Sequence, residues 1–536
     1  MKNLNKKKMR DNLSIWIASI AYAVFLLTCI FCYTVDFITN DIQVDSFSQF
    51  LYTVQVGMGG AGVTVLQILW GFLNHYLFWI VCATVLYGLF LYFALRERKA
   101  RKNGQEAVLS QHTVITLNSA VVVSLVVSGA VMFSQIRQGY EVLKIDDYIE
   151  EQSVYSTLYE DYYVKPEQDL LTFPQKKKNL VYIYLESMES SFTDKEHGGG
   201  YDVSLIPQLT ALAKENTDFS AKADTNLNGG QVTNQTGWTV AGMVAQTSGT
   251  PLGVTRSKYS HSFDENMLFM PEVVSLGDIL EENGYKNVFM CGSEASYAAR
   301  KNYFVQHGNY EILDLDEAHE SGKLPADYHE WWGFEDSKLI DFAKEEISEL
   351  AKSDQPFNFT MITADTHFLN GYKCPDCPDS YEQQYENVVA CSDKRIAEFV
   401  QWMSQQDFYD DTIIVISGDH LSMDGVVTEE IGYDFPRKAF FTVINGPEYT
   451  LDQTREFTTL DQFPTTMEAM GIQIDGHRLG LGTSLYSNVP TLCEEIGFDQ
   501  LNSDIAHRSV QFEEEIMKDD GMEANAESFE NQKNQN

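Results

Sequence analysis

Positive charge is what this chain has least of. Its 38 lysines and arginines face 77 aspartates and glutamates over 536 residues, a formal charge of -39 at pH 7, which excludes nucleic acid or another polyanion as a main partner. No small-residue cleavage site follows the first apolar segment, so that segment reads as an uncleaved anchor and not a signal peptide. No internal repeat stands out, and no repeat architecture is indicated. Cysteine is sparse, eight in all. The motif KCPDC (373–377) has the spacing of a zinc knuckle or redox pair, but it has no second such pair to complete a four-sulfur site. A structural disulfide is therefore expected, with its partners left open.

What the chain does have is apolar sequence, 44% of the residues, with the longest runs in the first quarter. Leu13 to Val35, Tyr76 to Leu95 and Val114 to Phe133 each approach or exceed the roughly 20 residues that a helix needs to cross a bilayer. Basic residues cluster beside them, at Lys6-Lys7-Lys8 and from Arg96 to Lys102. Placing both clusters in the cytoplasm sends the third span outward and leaves everything after Gln135 outside. Val56 to Leu73 reads as an interfacial or re-entrant piece. The expected organisation is a membrane anchor of about three helices (1–135), a polar, Tyr-rich connector (136–178), an extracytoplasmic catalytic domain (179–510) and an acidic, disordered tail (511–536).

From residue 179 short apolar runs alternate with longer helical patterns, the signature of an α/β domain whose mostly parallel sheet is covered by helices. The strands are expected within Asn179 to Ser187, Lys286 to Glu294, Pro356 to His367, Asp411 to His420 and Lys438 to Gly446. Their continuous apolar character implies burial on both faces. Helices are expected at Leu205 to Asn216, Met270 to Asn283, Asp336 to Lys352, Ser380 to Gln405 and Thr459 to Met470.

Several strands end in groups that do chemistry: Glu186, Ser293 with Glu294, His367, and Asp419 with His420. A carboxylate or histidine at one strand end is ordinarily a solvated or structural residue. Parallel strands, however, deliver their C-terminal ends to one edge, where open α/β sheets bind ligands, and there an Asp-His pair with a second carboxylate suits a divalent cation. A hydroxyl would complete the set. The Gly- and Asn-rich loop running into TGWTVAGMVA (236–245) offers Thr236 and Thr239, and a Thr at a helix N-terminus has backbone amides beside it to hold a phosphoryl oxygen. Thr236 is the first choice, although either Thr taken alone reads as a simple helix cap.

These motifs, YLES (184–187), TGWT (236–239), THF (366–368), SGDH (417–420), LDQFPTTMEAMGI (460–472) and HRLGLGTSL (477–485), resemble in order the alkaline phosphatase and sulfatase superfamily. Within it the chain resembles lipoteichoic acid synthases and phosphoglycerol transferases, over roughly 179–488. The resemblance implies an alkaline phosphatase-like fold behind an α-helical transmembrane anchor, in a multi-pass protein of the bacterial cell membrane. It implies one divalent metal, manganese first with magnesium or zinc as alternatives, held by Glu186, Thr236, Asp419 and His420. Thr236 becomes the nucleophile, because the family's Thr is followed by a hydroxyl three places on, here Thr239. His367 and Arg300 resemble substrate-binding residues. Three spans instead of five, and Ala298-Ala299-Arg300 where lipoteichoic acid synthases carry Trp-Asn-Arg, lean toward the glucan-modifying members.

The expected activity is transfer of glycerophosphate from phosphatidylglycerol to a surface glycan or teichoic-acid acceptor through a covalent threonine intermediate. A phosphoethanolamine transferase or phosphodiesterase of the same superfamily is the alternative chemistry, and an inactive extracytoplasmic binding protein is the alternative of another class. The Cys-x-Pro-x-Arg type of motif that a sulfatase needs to make its formylglycine is absent.

Overall fold

A computed structural model describes residues 2–38, 44, 46–56, 65–103, 105, 111–253 and 268–517. The chain forms two compact units, one of residues 1–50 and 63–147, the other of 51–62 and 148–536.

The first unit is built on three long helices, α1 (Lys2–Asp36), α2 (Val65–Lys102) and α3 (Gln111–Val142). Each contains a stretch long and apolar enough to cross a membrane: Ile15–Asp36, Ile68–Ala100 and Ser119–Val142. Large apolar side chains such as Trp70, Phe78, Leu86, Val126 and Phe133 lie exposed on α2 and α3, as they would facing lipid. Polar contacts tie the helices together where such groups would otherwise meet hydrocarbon: the Ser19 and Tyr87 hydroxyls lie 2.7 Å apart, as do those of Tyr22 and Thr84. The expected interfacial piece at 56–73 is corrected in part. Residues 65–73 continue α2 without a break, so the second span starts ahead of Tyr76, while 57–64 lie outside the described residues.

The second unit is organised by a seven-stranded sheet: β1 (Asn179–Leu185), β2 (Gly229–Gly230), β3 (Lys286–Cys291), β4 (Glu311–Leu313), β5 (Phe357–Ile362), β6 (Thr412–Gly418) and β7 (Ala439–Ile444). In space the order is β2-β7-β6-β1-β5-β3-β4. The five strands from β6 to β4 run parallel, and β7 pairs antiparallel with both β6 and β2.

Alternation along β1 explains why its sequence is apolar throughout. Leu180, Tyr182 and Tyr184 enter one core, while Val181, Ile183 and Leu185 enter the other. Helices α4 (Pro207–Glu215), α6 (Asp336–Leu350) and α7 (Gln384–Met403) cover the second face with residues such as Leu209, Leu339 and Phe399. Helices α5 (Thr239–Ser248) and α8 (Gln462–Ala469) cover the first with Val240, Val244, Phe463 and Met467. The two short strands β2 and β4 have no apolar run long enough to announce them.

Beyond the sheet, Phe512 and Ile516 are buried, and the Phe512 ring lies 4.8 Å from that of Tyr159. Packed chain thus continues past residue 510, and the expected disordered tail concerns residues 518–536, outside the described part. Among the outer cysteines, Cys377 and Cys391 form a disulfide.

Arg455 locks the C-terminal lobe and is fully buried. It donates to both carboxylate oxygens of Glu494, each at 2.8 Å, and to the carbonyls of Leu485, Ser487 and Val489. Removing the guanidinium leaves the Glu494 carboxylate with only the Glu456 and Thr491 amides and no countercharge, a change that costs about 3–5 kcal/mol at buried pairs. Arg455→Ala is expected to lose stability of that order, read from the denaturant midpoint of tryptophan fluorescence.

Candidate metal centre

Sheet order explains which residues meet. Strands β6, β1 and β5 are adjacent and parallel, so the residues just past them share one edge. Glu186 follows β1, Asp419 and His420 follow β6, and all three are buried with candidate ligand atoms within 4.8 Å of one another. His420 Nε2 lies 3.4 Å from Glu186 Oε1 and 3.4 Å from Asp419 Oδ2. Its Nδ1 is 2.8 Å from the Leu421 carbonyl, and a proton placed there leaves the Nε2 lone pair facing the carboxylates.

Each of these groups is braced. Asp419 Oδ1 accepts from the Ser187 and His420 amides, both at 2.8 Å. The Ser187 hydroxyl donates to Glu186 Oε1 at 2.8 Å, and Thr366 donates to the Glu186 carbonyl at 2.6 Å. Ser187 takes φ 56, a left-handed conformation that costs a non-glycine residue about 1–2 kcal/mol, and it brings its own amide onto Asp419.

The hydroxyl at this cluster belongs to Thr239, the first residue of α5. Thr239 Oγ1 is 3.3 Å from Glu186 Oε2 and 3.5 Å from His420 Nε2, and its side chain is partly exposed. Thr236, the first choice from the sequence, lies apart from these hydrogen-bond partners. Thr236 is fully buried in a turn ahead of the helix, where its hydroxyl donates to the Thr233 carbonyl at 2.9 Å and accepts from the Thr233 amide at 3.0 Å. The helix starts after Gly237-Trp238 and not before, so the first-turn position beside the strand ends falls to Thr239. The signal was present in the sequence: Gly-Trp breaks the pattern, and the small-residue run VAGMVA begins only after Thr239.

Close approach of α5 to the end of β6 needs a missing side chain. A Cβ on Gly242 would sit 2.1 Å from the Asp419 carbonyl oxygen. Gln246, one turn further, donates to the carbonyls of Gly418 and Asp419 at 2.9 and 3.1 Å, pinning helix to strand.

His367 is held beyond β5 with its Nδ1 2.7 Å from the Phe368 carbonyl and its ring 4.8 Å from that of Trp332. The loop carrying it is clamped to the start of α6, where Asp336 accepts from the amides of Ala364 and Asp365 at 2.7 and 3.1 Å. Arg300 opens a helix after Ala298 and Ala299, both left-handed, and it donates to Ser293 Oγ and the Glu294 carbonyl at 2.9 Å. Tyr52 reaches the same turn: its hydroxyl donates to the Ala298 carbonyl at 2.8 Å and its ring packs on Trp238. Ser187, Trp332 and Tyr52 went unnoticed as site residues: Ser187 closes YLES but reads as the end of a strand, and Trp332 and Tyr52 belong to no motif.

The electrostatics suit a cation. Asp419 Oδ2 is buried without a hydrogen-bond donor. Burial and the Glu186 carboxylate push Asp419 up to about 7. Burial works against a charged His420, yet Asp419 and Glu186 draw it up to about 10. Burial alone would raise Glu186, but His367 and His420 hold it well below the usual carboxylate value. At His367 burial dominates and keeps the imidazole below its ordinary value despite Glu186. Two carboxylates and one imidazole fit manganese, magnesium or zinc by donor type.

Comparisons with known proteins show the family to which the chain belongs. The sulfatase family profile matches residues 178–472. Phosphoglycerol transferase I of Xanthomonas campestris pv. campestris (strain B100) is 31% identical over 450 residues, 82% of this chain and 57% of its own length. Phosphoglycerol transferase I of Escherichia coli (strain 55989 / EAEC) is 31% identical over 332 residues, 61% of this chain and 41% of its own. The chain thus spans about half the length of the curated relatives it matches. Among solved structures, the lipoteichoic acid synthase LtaP from Listeria monocytogenes is 18% identical with a TM-score of 0.45, over 62% of this chain and 81% of its own.

Protons and a metal compete for the same atoms. Burial and Glu186 strengthen the hold of Asp419 on its proton, so metal affinity falls as pH falls. Manganese binding measured by calorimetry is expected to weaken at least about tenfold from pH 8 to pH 6, the change in unprotonated Asp419 alone. A pH-independent affinity would contradict the assignment.

Proposed function

The chain belongs to the sulfatase family, and from that premise we propose that it is a membrane-anchored transferase moving glycerophosphate from phosphatidylglycerol to a surface glycan or teichoic-acid acceptor. The observation that carries the reading is the Thr239 hydroxyl, partly exposed, within 3.5 Å of both Glu186 and His420 at a helix N-terminus. The kinship with phosphoglycerol transferase I supports the choice of glycerophosphate. Three long apolar helices suit a lipid donor and a catalytic unit outside the membrane.

Glu186, Asp419 and His420 would hold the divalent metal, manganese in the first instance. When bound, it supplies positive charge beside the phosphoryl oxygens and favours the ionised hydroxyl. Thr239 Oγ1, its proton lost to solvent, attacks phosphorus, the P–O bond to diacylglycerol breaks, and diacylglycerol leaves with a proton from His367, forming a glycerophosphoryl-threonine. An acceptor hydroxyl then displaces Thr239. The first-turn amides of α5 have no acceptor within the helix and face the developing negative charge with the positive end of the helix dipole. His367 exchanges a proton with the oxygen that leaves in the first step and with the one that enters in the second. Burial lowers its hold on that proton. Arg300, fixed by Ser293 and Glu294, orients the phosphodiester as a planar donor.

The full chain in detergent with manganese and fluorescent phosphatidylglycerol is expected to release diacylglycerol. Thr239→Ala is expected to reduce release by about 10³-fold or more. Thr236→Val is expected to lose about 1–3 kcal/mol of stability, from the unsatisfied Thr233 amide, with turnover little changed. The reverse pattern would return the nucleophile to Thr236. Phosphatidylethanolamine supplied alone separates the donors, and preferential release from it would make the protein a phosphoethanolamine transferase.

A further inference from the structure

Three sulfurs converge where the sequence offered a single Cys-x-x-Cys pair. Cys374, Cys377 and Cys391 are all buried, with sulfur atoms within 4.8 Å of one another. Cys377 and Cys391 are bonded, and the Cys374 thiol lies 3.2 Å from the Cys377 sulfur. Cys374 is not an ordinary buried thiol. Arg395 Nη2 donates to its sulfur at 2.7 Å and the Asp376 amide donates at 3.3 Å. The Arg395 guanidinium is itself steadied by Asp365, whose Oδ2 is 3.2 Å from Nη1. The Cys377 amide donates to the Cys374 carbonyl at 3.1 Å, so the backbone between the two cysteines already turns back on itself.

We propose that these cysteines form a thiol–disulfide exchange site in which Cys377 is shared between Cys374 and Cys391. The Cys374 thiolate attacks the Cys377 sulfur. A Cys374–Cys377 bond forms as the Cys377–Cys391 bond breaks, and Cys391 leaves as the thiolate and takes up the proton that Cys374 gave away. No electrons enter or leave, so the exchange needs no outside oxidant or reductant. Attack at Cys377 is favoured because that sulfur lies next to Cys374, and because its leaving partner sits on α7, the same helix as Arg395. The exchange also changes what Arg395 holds. A thiolate at Cys374 is an anionic acceptor, whereas a disulfide sulfur is a weak one. Asp365, the other group on that guanidinium, lies two residues before His367.

Disulfide mapping tests the site in the full chain. Protein held in detergent at pH 8 is quenched in acid, unfolded with N-ethylmaleimide and cleaved after Glu382 and Glu386, which separates Cys391 from the other two. Two species are expected: Cys377 linked to Cys391 with the label on Cys374, and Cys374 linked to Cys377 with the label on Cys391. Label confined to Cys374 would overturn the proposal and leave a static disulfide beside an inert thiol. Label on all three, with zinc present in equal amount, would overturn it in favour of a metal site. Cys391→Ser incubated with oxidised glutathione, which supplies the two-electron oxidation and leaves as two thiols, gives an independent reading, with Cys374 and Cys377 expected to pair and take no label, and label on both in that variant would also refute the exchange.

Discussion

Two carboxylates and an imidazole, packed within 4.8 Å and buried, set the terms for the rest of the second unit. Two like charges at that separation repel by about 3–4 kcal/mol at the effective dielectric of a protein interior, before any desolvation is counted. The fold therefore holds Glu186 and Asp419 together against their charge and needs a proton or a cation between them. Protein donors reach three of the four oxygens' surroundings, through Ser187, Thr239 and the His420 amide, but Asp419 Oδ2 is left without a donor. A cavity that withholds a hydrogen bond from a buried carboxylate oxygen is built for a positively charged ligand.

Backbone arrangement delivers this cluster at little cost in local irregularity. Adjacent parallel strands end side by side, and the chain places one ionisable residue or pair just past each of them. The exceptions mark where ordinary geometry does not suffice. Ser187 is forced left-handed to turn its amide onto Asp419, Ala298 and Ala299 are forced left-handed ahead of Arg300, and Gly242 gives up its side chain so that α5 can touch the end of β6. Strain of this kind persists where the surrounding packing over-determines it, and at Ser187 it lies directly against Asp419.

Much of this was legible in the sequence because burial on both faces leaves an unbroken apolar run, and five such runs marked the longer strands. Their polar termini, Glu186, His367 and Asp419-His420, were visible as the points where those runs stop. What stayed hidden has physical reasons. Gly229–Gly230 and Glu311–Leu313 are too short to carry a period, Ser187 matters through a backbone conformation that its motif does not reveal, and Trp332 and Tyr52 act through position alone. The choice between Thr236 and Thr239 turned on where a helix begins, and boundaries depend on tertiary contacts that propensity does not contain. Gly237-Trp238 marks where the helix starts, whereas the resemblance pointed to Thr236 through the hydroxyl three places on.

The central claim is that Thr239 accepts the transferred group beside the buried cluster. The most direct measurement is peptide mass spectrometry of the full chain, acid-quenched during turnover with phosphatidylglycerol and manganese. The account predicts a glycerophosphoryl adduct on Thr239, appearing with substrate and disappearing as acceptor is added. An adduct on Thr236 or Ser187, or steady turnover with Thr239 unmodified at every time point, would contradict it.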